Sequence, residues 1–378
     1  WFCKARASCL TLTFVGQNGR MMQESRSTPA HRPSVMGRAL LALHASGVCR
    51  LAPRSLAGEG VIFMLHRVRP DDGRAFAPNR ILEITPDFLD ETIRLVKARG
   101  YRCLSLDDAV TRISSGARPE RFVVFTLDDG YKDNLSDALP VFERHGVPFT
   151  LYLTTGLPDG DAEIWWVALE RIIEAATDIE AHLPGGPKRF STRTAEEKNA
   201  AWEGIYWPLR ELPEVELRAE VRRLAGIHNV DIKAITRELA LSWDDVRALA
   251  AHPLASVEAH TAAHFAQARL SAHDARIDIE NGVARMEAEL GYRPRHFSYP
   301  YGDPSSAGTR DFALAEALGF RSATTTRKGM IHRSHSKRLW SLPRLSLNGD
   351  FQDRRMLEAL LSGLPFALAR PIKSLGID

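Results

Sequence analysis

The stretch Phe122-Val123-Val124-Phe125-Thr126-Leu127-Asp128-Asp129-Gly130 decides the fold. Residues 122–127 are apolar but for one threonine and do not alternate with polar residues, the pattern of a strand covered on both faces in a parallel sheet. Two adjacent carboxylates and a glycine then end the run. Open and closed α/β folds carry their chemistry at the carboxyl ends of their strands, so Asp128 and Asp129 are expected on such a rim. Asp-Asp-Gly alone reads more readily as a solvated turn. A second stretch changes the balance: His260-Thr261-Ala262-Ala263-His264. Two histidines and one aspartate make a three-ligand metal site with open positions, and the other aspartate is left for proton chemistry.

Working outward, strands and helices alternate. Residues 61–65 read as a strand that ends in His66. A helix follows over 85–99, with Pro86 in its first turn and Gly100 closing it. A short strand over 101–106, a helix over 106–113, a helix over 134–145 and a strand over 148–154 come next. Residues 256–260 carry the first histidine, and 296–299, 321–326 and 341–347 are the remaining strands. Helices over 273–290 and 309–318 separate them. This alternation predicts an α/β fold in which about seven parallel strands close into a barrel.

The expected organisation has three parts. Residues 1–58 form an N-terminal extension. Within it, residues 1–20 are set aside as non-native because the chain opens on Trp1, with Met21, Met22 or Met36 as alternative starts. An amphipathic helix over 36–57 is expected to dock on the main domain; its apolar face is too modest for a membrane-surface anchor. Residues 59–350 form the main domain, with a helical insertion over about 157–240, and 351–378 form a tail. The insertion holds Trp165, Trp166, Trp202, Tyr206 and Trp207, most of which are expected to build its own small core. It is also expected to border the substrate cleft, because it lies between the metal-bearing segments.

Bulk properties narrow the function. The chain has 378 residues with a net charge of only +3, both signs dispersed, which argues against a nucleic-acid partner. No segment approaches the roughly 20 apolar residues of a transmembrane span. The run over 9–15 is too short and too polar for a signal-peptide core, so a cytoplasmic location is expected. Cys3, Cys9, Cys49 and Cys103 are scattered without a CxxC pair, which suggests neither a cysteine zinc site nor a disulfide framework. Oligomeric state is not legible.

Three motifs in order, Thr126-Leu127-Asp128-Asp129-Gly130, His260-Thr261-Ala262-Ala263-His264 and Phe297-Ser298-Tyr299-Pro300-Tyr301-Gly302, resemble those of the polysaccharide deacetylase family, the NodB-homology domain of carbohydrate esterase family 4. The resemblance spans 59–350, interrupted by the insertion. It implies a distorted (β/α) barrel. It implies a metal-dependent hydrolase that removes N-acetyl groups from an N-acetylglucosamine-containing oligo- or polysaccharide, either a chitooligosaccharide of the nodulation-factor type or a surface polysaccharide. By the same resemblance Asp129, His260 and His264 hold a divalent metal, expected to be Zn2+. Asp128 is the general base, and the backbone N–H of Tyr301 stabilises the oxyanion.

The departures from the family are specific. The arginine expected after Phe297 is replaced by Ser298, and Arg344 in Leu342-Pro343-Arg344-Leu345 is expected to bring a guanidinium to Asp128 instead. The family's Asp-x-x-Asp-Trp motif is not evident, and its closing Leu-x-x-His motif, source of the usual general acid, is absent after residue 302. His66, at the end of the first strand, is therefore the expected acid, with His296, His332 and His335 as further candidates. Two other readings compete: a carbohydrate-binding pseudoenzyme, favoured by the missing acid motif, and an O-deacetylase, whose alkoxide leaving group tolerates weak acid help.

Overall fold

In the computed structural model, residues 34–116 and 120–374 are described. The expectation that residues 1–20 are non-native, and the environments of Cys3 and Cys9, lie outside them. Twelve strands run in chain order: β1 Gly60–Leu65, β2 Arg67–Val68, β3 Glu83–Ile84, β4 Arg102–Cys103, β5 Phe122–Asp129, β6 Phe149–Leu153, β7 Asp178–Leu183, β8 Gly186–Ser191, β9 Ala255–Ala259, β10 His296–Ser298, β11 Ser322–Lys328 and β12 Leu342–Ser346. Seven of them pair in the circular order β1-β12-β11-β10-β9-β6-β5 and back to β1, every pairing parallel. The fold is a closed seven-stranded α/β barrel with helices outside it. β4 adds only two residues beside the start of β5, much shorter than the strand expected over 101–106.

Side-chain parity sorts the strands into two apolar layers. Val61, Phe63, Leu65, Val123, Phe125, Leu127, Leu151, Val257, Phe297 and Leu345 share one cluster with the surrounding helices. Ile62, Phe122, Val124, Tyr152 and Leu342 share another with Leu106, Val110 and Ile113, and this second cluster fills the barrel's interior near its amino end. Successive residues of a strand point to opposite faces. Thr126 and Asp128 therefore continue the inward-facing set of Phe122 and Val124, and Arg344 that of Leu342. On β5 and β12 the inward set is apolar near the amino end and polar toward the carboxyl end, which suits a barrel with its chemistry at that rim.

The N-terminal helix is shorter than expected. It spans Val35–Ala45, capped by the Ser34 hydroxyl on the Gly37 N–H, and it stops where Gly47 adopts φ 74°. A separate four-residue helix, Val48–Leu51, follows. Leu40 is buried, and His44 Nε2 lies 2.8 Å from Glu358 on the helix Arg354–Leu361, so this helix packs against that one. At the other end a helix runs over Leu364–Ser374, within the expected tail.

The insertion is not wholly helical. Between its helices Trp165–Ala175 and Ala195–Glu211 the antiparallel pair β7–β8 forms a hairpin. The burial of β7 alternates strictly, with Ile179, Ala181 and Leu183 facing in. That alternation is the sequence signal that was available for it. Trp165, Trp166 and Trp202 are buried in the insertion's own core, and Trp207 is exposed.

Candidate active site

The site is assembled from strand ends. β5 delivers Asp128 and Asp129, β9 runs directly into His260, β10 into Tyr301, and β1 into His66, while Arg344 projects from β12. All lie on the carboxyl rim. The structure brings Asp128, Asp129, His260, His264, Tyr301 and Arg344 together.

Arg344 and Asp128 form a two-pronged ion pair, Nη1 to Oδ1 at 2.7 Å and Nη2 to Oδ2 at 2.6 Å. The same guanidinium donates to Thr126 Oγ1 at 3.0 Å, to Ser298 Oγ at 2.9 Å and from Nε to the Thr325 carbonyl at 3.1 Å. Five donors thus meet acceptors, and the fork is immobilised in a fully buried setting. Ser298, standing where an arginine was expected, accepts one of these bonds. Burial pushes the Asp128 carboxyl up, but the Arg344 guanidinium brings it below the ordinary carboxylate value, so Asp128 is ionised at neutral pH.

Beside this pair, donor atoms of Asp129, His260 and His264 lie within 4.8 Å of one another, all three residues buried. Asp129 Oδ1 sits 3.4 Å from His260 Nε2 and 3.2 Å from His264 Nε2. His260 Nδ1 lies 2.7 Å from the Ser298 carbonyl, which can only accept, so Nδ1 carries a proton and Nε2 is the ring atom turned toward Asp129. Burial holds the His264 imidazole down at about 4, neutral at pH 7. Asp129 Oδ1 is buried and accepts no hydrogen bond from a described residue. Converging lone pairs on an orphaned carboxylate oxygen are what a divalent cation satisfies, and the N,N,O set suits zinc.

The backbone here is held out of its ordinary range. Among the described residues, five non-glycine residues have left-handed φ, and four of them belong to this site: Asp129 at 78°, Thr261 at 65°, His264 at 56° and Tyr301 at 60°. Such positions cost on the order of 1–3 kcal/mol each and persist only where the surroundings enforce them. The enforcement is visible around His264. Thr261 Oγ1 accepts the His264 N–H at 3.0 Å, and Asp278 Oδ1 accepts the N–H of Ala262 at 3.2 Å and of Ala263 at 2.8 Å. Gly282, in the helix of Asp278, lets this loop approach so closely that an added Cβ would sit 2.8 Å from the Thr261 carbonyl carbon.

The other candidates separate clearly. His66 is half-buried on the catalytic rim, where its charged form would act on both aspartates; among the described residues its ring has no hydrogen-bond partner. His296 opens β10 and therefore lies at the opposite rim, bound to Ser322 and Asp107. His332 and His335 lie beside Ile331, which bridges to Gly60 at the start of β1, again at the far end. Geometry removes these three from the acid role.

Sequence reasoning missed several supports. Asp278 is one. Arg218 of the insertion is buried and donates to the His264 carbonyl at 3.3 Å. Arg210 places its guanidinium carbon 3.4 Å from the centre of the Tyr301 ring. Trp166 packs its ring 4.9 Å from that of His264 and donates to Tyr131 Oη at 2.9 Å. A signal for Arg210 did exist: it stands four residues after Tyr206, on the same helix face.

The family model for polysaccharide deacetylase matches residues 115–188 and 224–323, leaving out the middle of the insertion. The Bacillus subtilis protein YxkH, whose name places it among polysaccharide deacetylases, is 36% identical over 55 residues, 14% of this chain and 20% of that one. The Streptococcus pyogenes deacetylase PplD, solved with acetate, superposes with a TM-score of 0.52 at 15% identity, covering 79% of this chain and 97% of that one. IcaB from Ammonifex degensii superposes with a TM-score of 0.50 at 16% identity, covering 80% and 97%. At these identities the structural likeness is one of fold.

Proposed function

The chain carries a domain of the polysaccharide deacetylase family, and from that premise we propose that it is a metal-dependent hydrolase removing N-acetyl groups from an N-acetylglucosamine-containing oligo- or polysaccharide. One observation carries the reading: an ionised aspartate clamped by Arg344 lies next to a buried Asp129–His260–His264 cluster whose lone pairs converge.

In this reading Asp129, His260 and His264 hold a divalent cation, zinc by preference. When bound, the cation supplies Lewis acidity and brings the pKa of a coordinated water down toward about 7. Asp128 takes the proton from the attacking water. Arg344 keeps that carboxylate ionised and fixes its direction, and its two-pronged grip tolerates the transient protonation. The tetrahedral intermediate places an oxyanion toward the Tyr301 N–H, which has no acceptor among the described residues. Pro300 cannot donate there, so the preceding peptide offers no rival N–H. His66 gives a proton to the departing sugar amine as the C–N bond breaks, leaving acetate and a free amine. The insertion borders the cleft and limits which sugar chains enter, since Trp165, Trp166 and Arg210 already reach Tyr301 and His264.

The test is acetate release from chitooligosaccharides and from N-acetylated and O-acetylated polysaccharide, with and without added zinc. Zinc-stimulated release from the N-acetylated substrates is expected. Release confined to O-acetyl substrates would move the chain to the esterases. Binding without release from any of them would make it a carbohydrate-binding pseudoenzyme.

A further inference from the structure

Tyr301 is an aromatic residue at φ 60°, a conformation that side chains with a Cβ rarely adopt. Its ring and hydroxyl are gripped from three directions. Arg210 lies over the ring face, its guanidinium carbon 3.4 Å from the centroid. Trp165 Nε1 donates to Tyr301 Oη at 2.8 Å. The His264 ring meets the Tyr301 ring edge-on at 4.8 Å. Two of these three grips come from the insertion, not from the barrel. Arg210 also reaches the far side of the same turn, donating from Nη2 to Ser306 Oγ at 2.9 Å and lying 3.6 Å from Asp303 Oδ2. Asp303 in turn accepts from the Ser305 N–H at 2.7 Å and from Ser306 Oγ at 2.8 Å. Behind Trp165 the rings of Tyr206 and Trp202 continue the stack at 5.1 and 4.9 Å, so the grip rests on a rigid column.

We propose that Arg210 is a positioning residue: it clamps the 301–306 turn from both ends and thereby aims the Tyr301 N–H. The insertion is then a working half of the active centre, beyond any part it plays in admitting sugar chains. The inference rests on the reading of Tyr301 as the oxyanion donor. A guanidinium suits the task because one planar group can lie on an aromatic face and still donate in its own plane to Ser306. A lysine could keep the first contact but not both.

The experiment compares Arg210→Met, Arg210→Lys and Ser306→Ala with the unaltered chain by amide hydrogen exchange, metal analysis and steady-state kinetics on N-acetylated chitooligosaccharide. In Arg210→Met, amide exchange over 299–306 should quicken while exchange in β5 and β9 stays as it was, and bound zinc should be retained. Turnover should fall about 10- to 100-fold, short of the roughly 100- to 1,000-fold cost of losing an oxyanion donor outright, with KM changed less than about threefold. Arg210→Lys should recover part of the loss. Ser306→Ala should shift exchange and turnover the same way by less, and it stands in if Arg210→Met does not fold. Unchanged exchange over 299–306 overturns the clamp whatever the activity. Quickened exchange with wild-type turnover overturns its tie to catalysis. If the unaltered chain releases no acetate, the proposed function falls, and the exchange measurement still decides the clamp.

Discussion

The two rims of the barrel carry the same kinds of residue in different states. At the amino end, His296 is hydrogen-bonded through Nδ1 to Ser322 Oγ at 2.8 Å and through Nε2 to Asp107 Oδ1 at 3.2 Å. Asp107 also pairs with Arg295 and Arg321, and Glu258 accepts the N–H groups of Arg295 and His296. At the carboxyl end the cast is again histidine, carboxylate and arginine. There, however, Asp129 Oδ1 and His264 Nδ1 are buried without a hydrogen-bond partner among the described residues, and four described backbone positions are held at left-handed φ. Residue type does not mark the functional rim. Unpartnered atoms and an enforced backbone do, because a purely structural cluster would relax both.

The largest separation should come from substituting one member of each rim. Asp128→Asn is expected to keep its metal and lose on the order of 10²–10⁴-fold in turnover, about 3–5 kcal/mol of barrier. His264→Ala should lose both the metal and the activity. His296→Gln at the other rim should leave turnover at pH 7 unaltered. Elemental analysis and acetate release read all three. Stoichiometric metal in His264→Ala, or metal loss in Asp128→Asn with retention in Asp129→Asn, breaks the assignment of roles.

Metal removal sharpens the contrast at the level of stability. A ligand that binds only the folded chain at 100 times its Kd stabilises by about 2.7 kcal/mol. Adding a chelator should therefore lower Tm by several degrees in the unaltered chain and leave Asp129→Asn unmoved. An equal response in both would mean that the ion stabilises the fold from somewhere other than this cluster.

Acid should act on the other rim as well. Burial holds the His296 imidazole down to about 4, with Asp107 opposing and Arg295 and Arg321 assisting. Its unfolded value is near 6.5, so between pH 6.5 and 4 the unfolded chain binds a proton that the folded chain refuses. Stability is thus intact above pH 6.5 and declines as pH falls through that window, by about 1.4 kcal/mol per unit at most. The Asp107 carboxyl is lowered below 3.8 and contributes no slope there. Two other buried groups titrate in the same window: His264, also held down at about 4, adds to the loss, and Glu258, pushed up to about 7 by burial, opposes it. The readout is therefore a difference: between pH 7 and pH 5 the unaltered chain should lose about 2 kcal/mol more than His296→Gln in denaturant unfolding, and an equal pH response in both rules out His296 as a source.

Much of this was readable in advance, for reasons that differ between regions. β5 and β9 were legible because a barrel strand is covered on both faces and ends abruptly at its chemistry, which leaves an apolar run followed by acids or histidines. The pairing of Arg344 with Asp128 was legible as a vacancy: Ser298 cannot hold a carboxylate, and closing the barrel returns the last strand to the first. The β7–β8 hairpin was overlooked because Gly186–Ser191 is mostly exposed and polar, leaving only β7 with a pattern. Asp278 and Arg218 were invisible because each acts across the tertiary structure on the loop that carries His264. Nothing local distinguishes them from the charged helix surfaces around them.

The smallest expected effect is the one that most directly compares the rims, because it removes an arginine from an aspartate. Arg321 has a 40% exposed side chain and shares Asp107 with Arg295 and His296, donating also to Thr111 Oγ1 at 3.1 Å. Water can replace it, and Asp107 keeps two partners. Exposed pairs of this kind contribute roughly 0.2–1 kcal/mol. Arg321→Ala should therefore lower unfolding free energy by no more than about 1 kcal/mol and leave kcat and KM unchanged. Arg344 differs in every respect that matters: its side chain is wholly buried, and among the described residues it is the one ion-pair partner of Asp128. A loss at Arg321→Ala well above 1 kcal/mol would show that the amino rim, too, depends on a single charge. The contrast between a redundant, solvated cluster and an irreplaceable, buried one would then have to be abandoned.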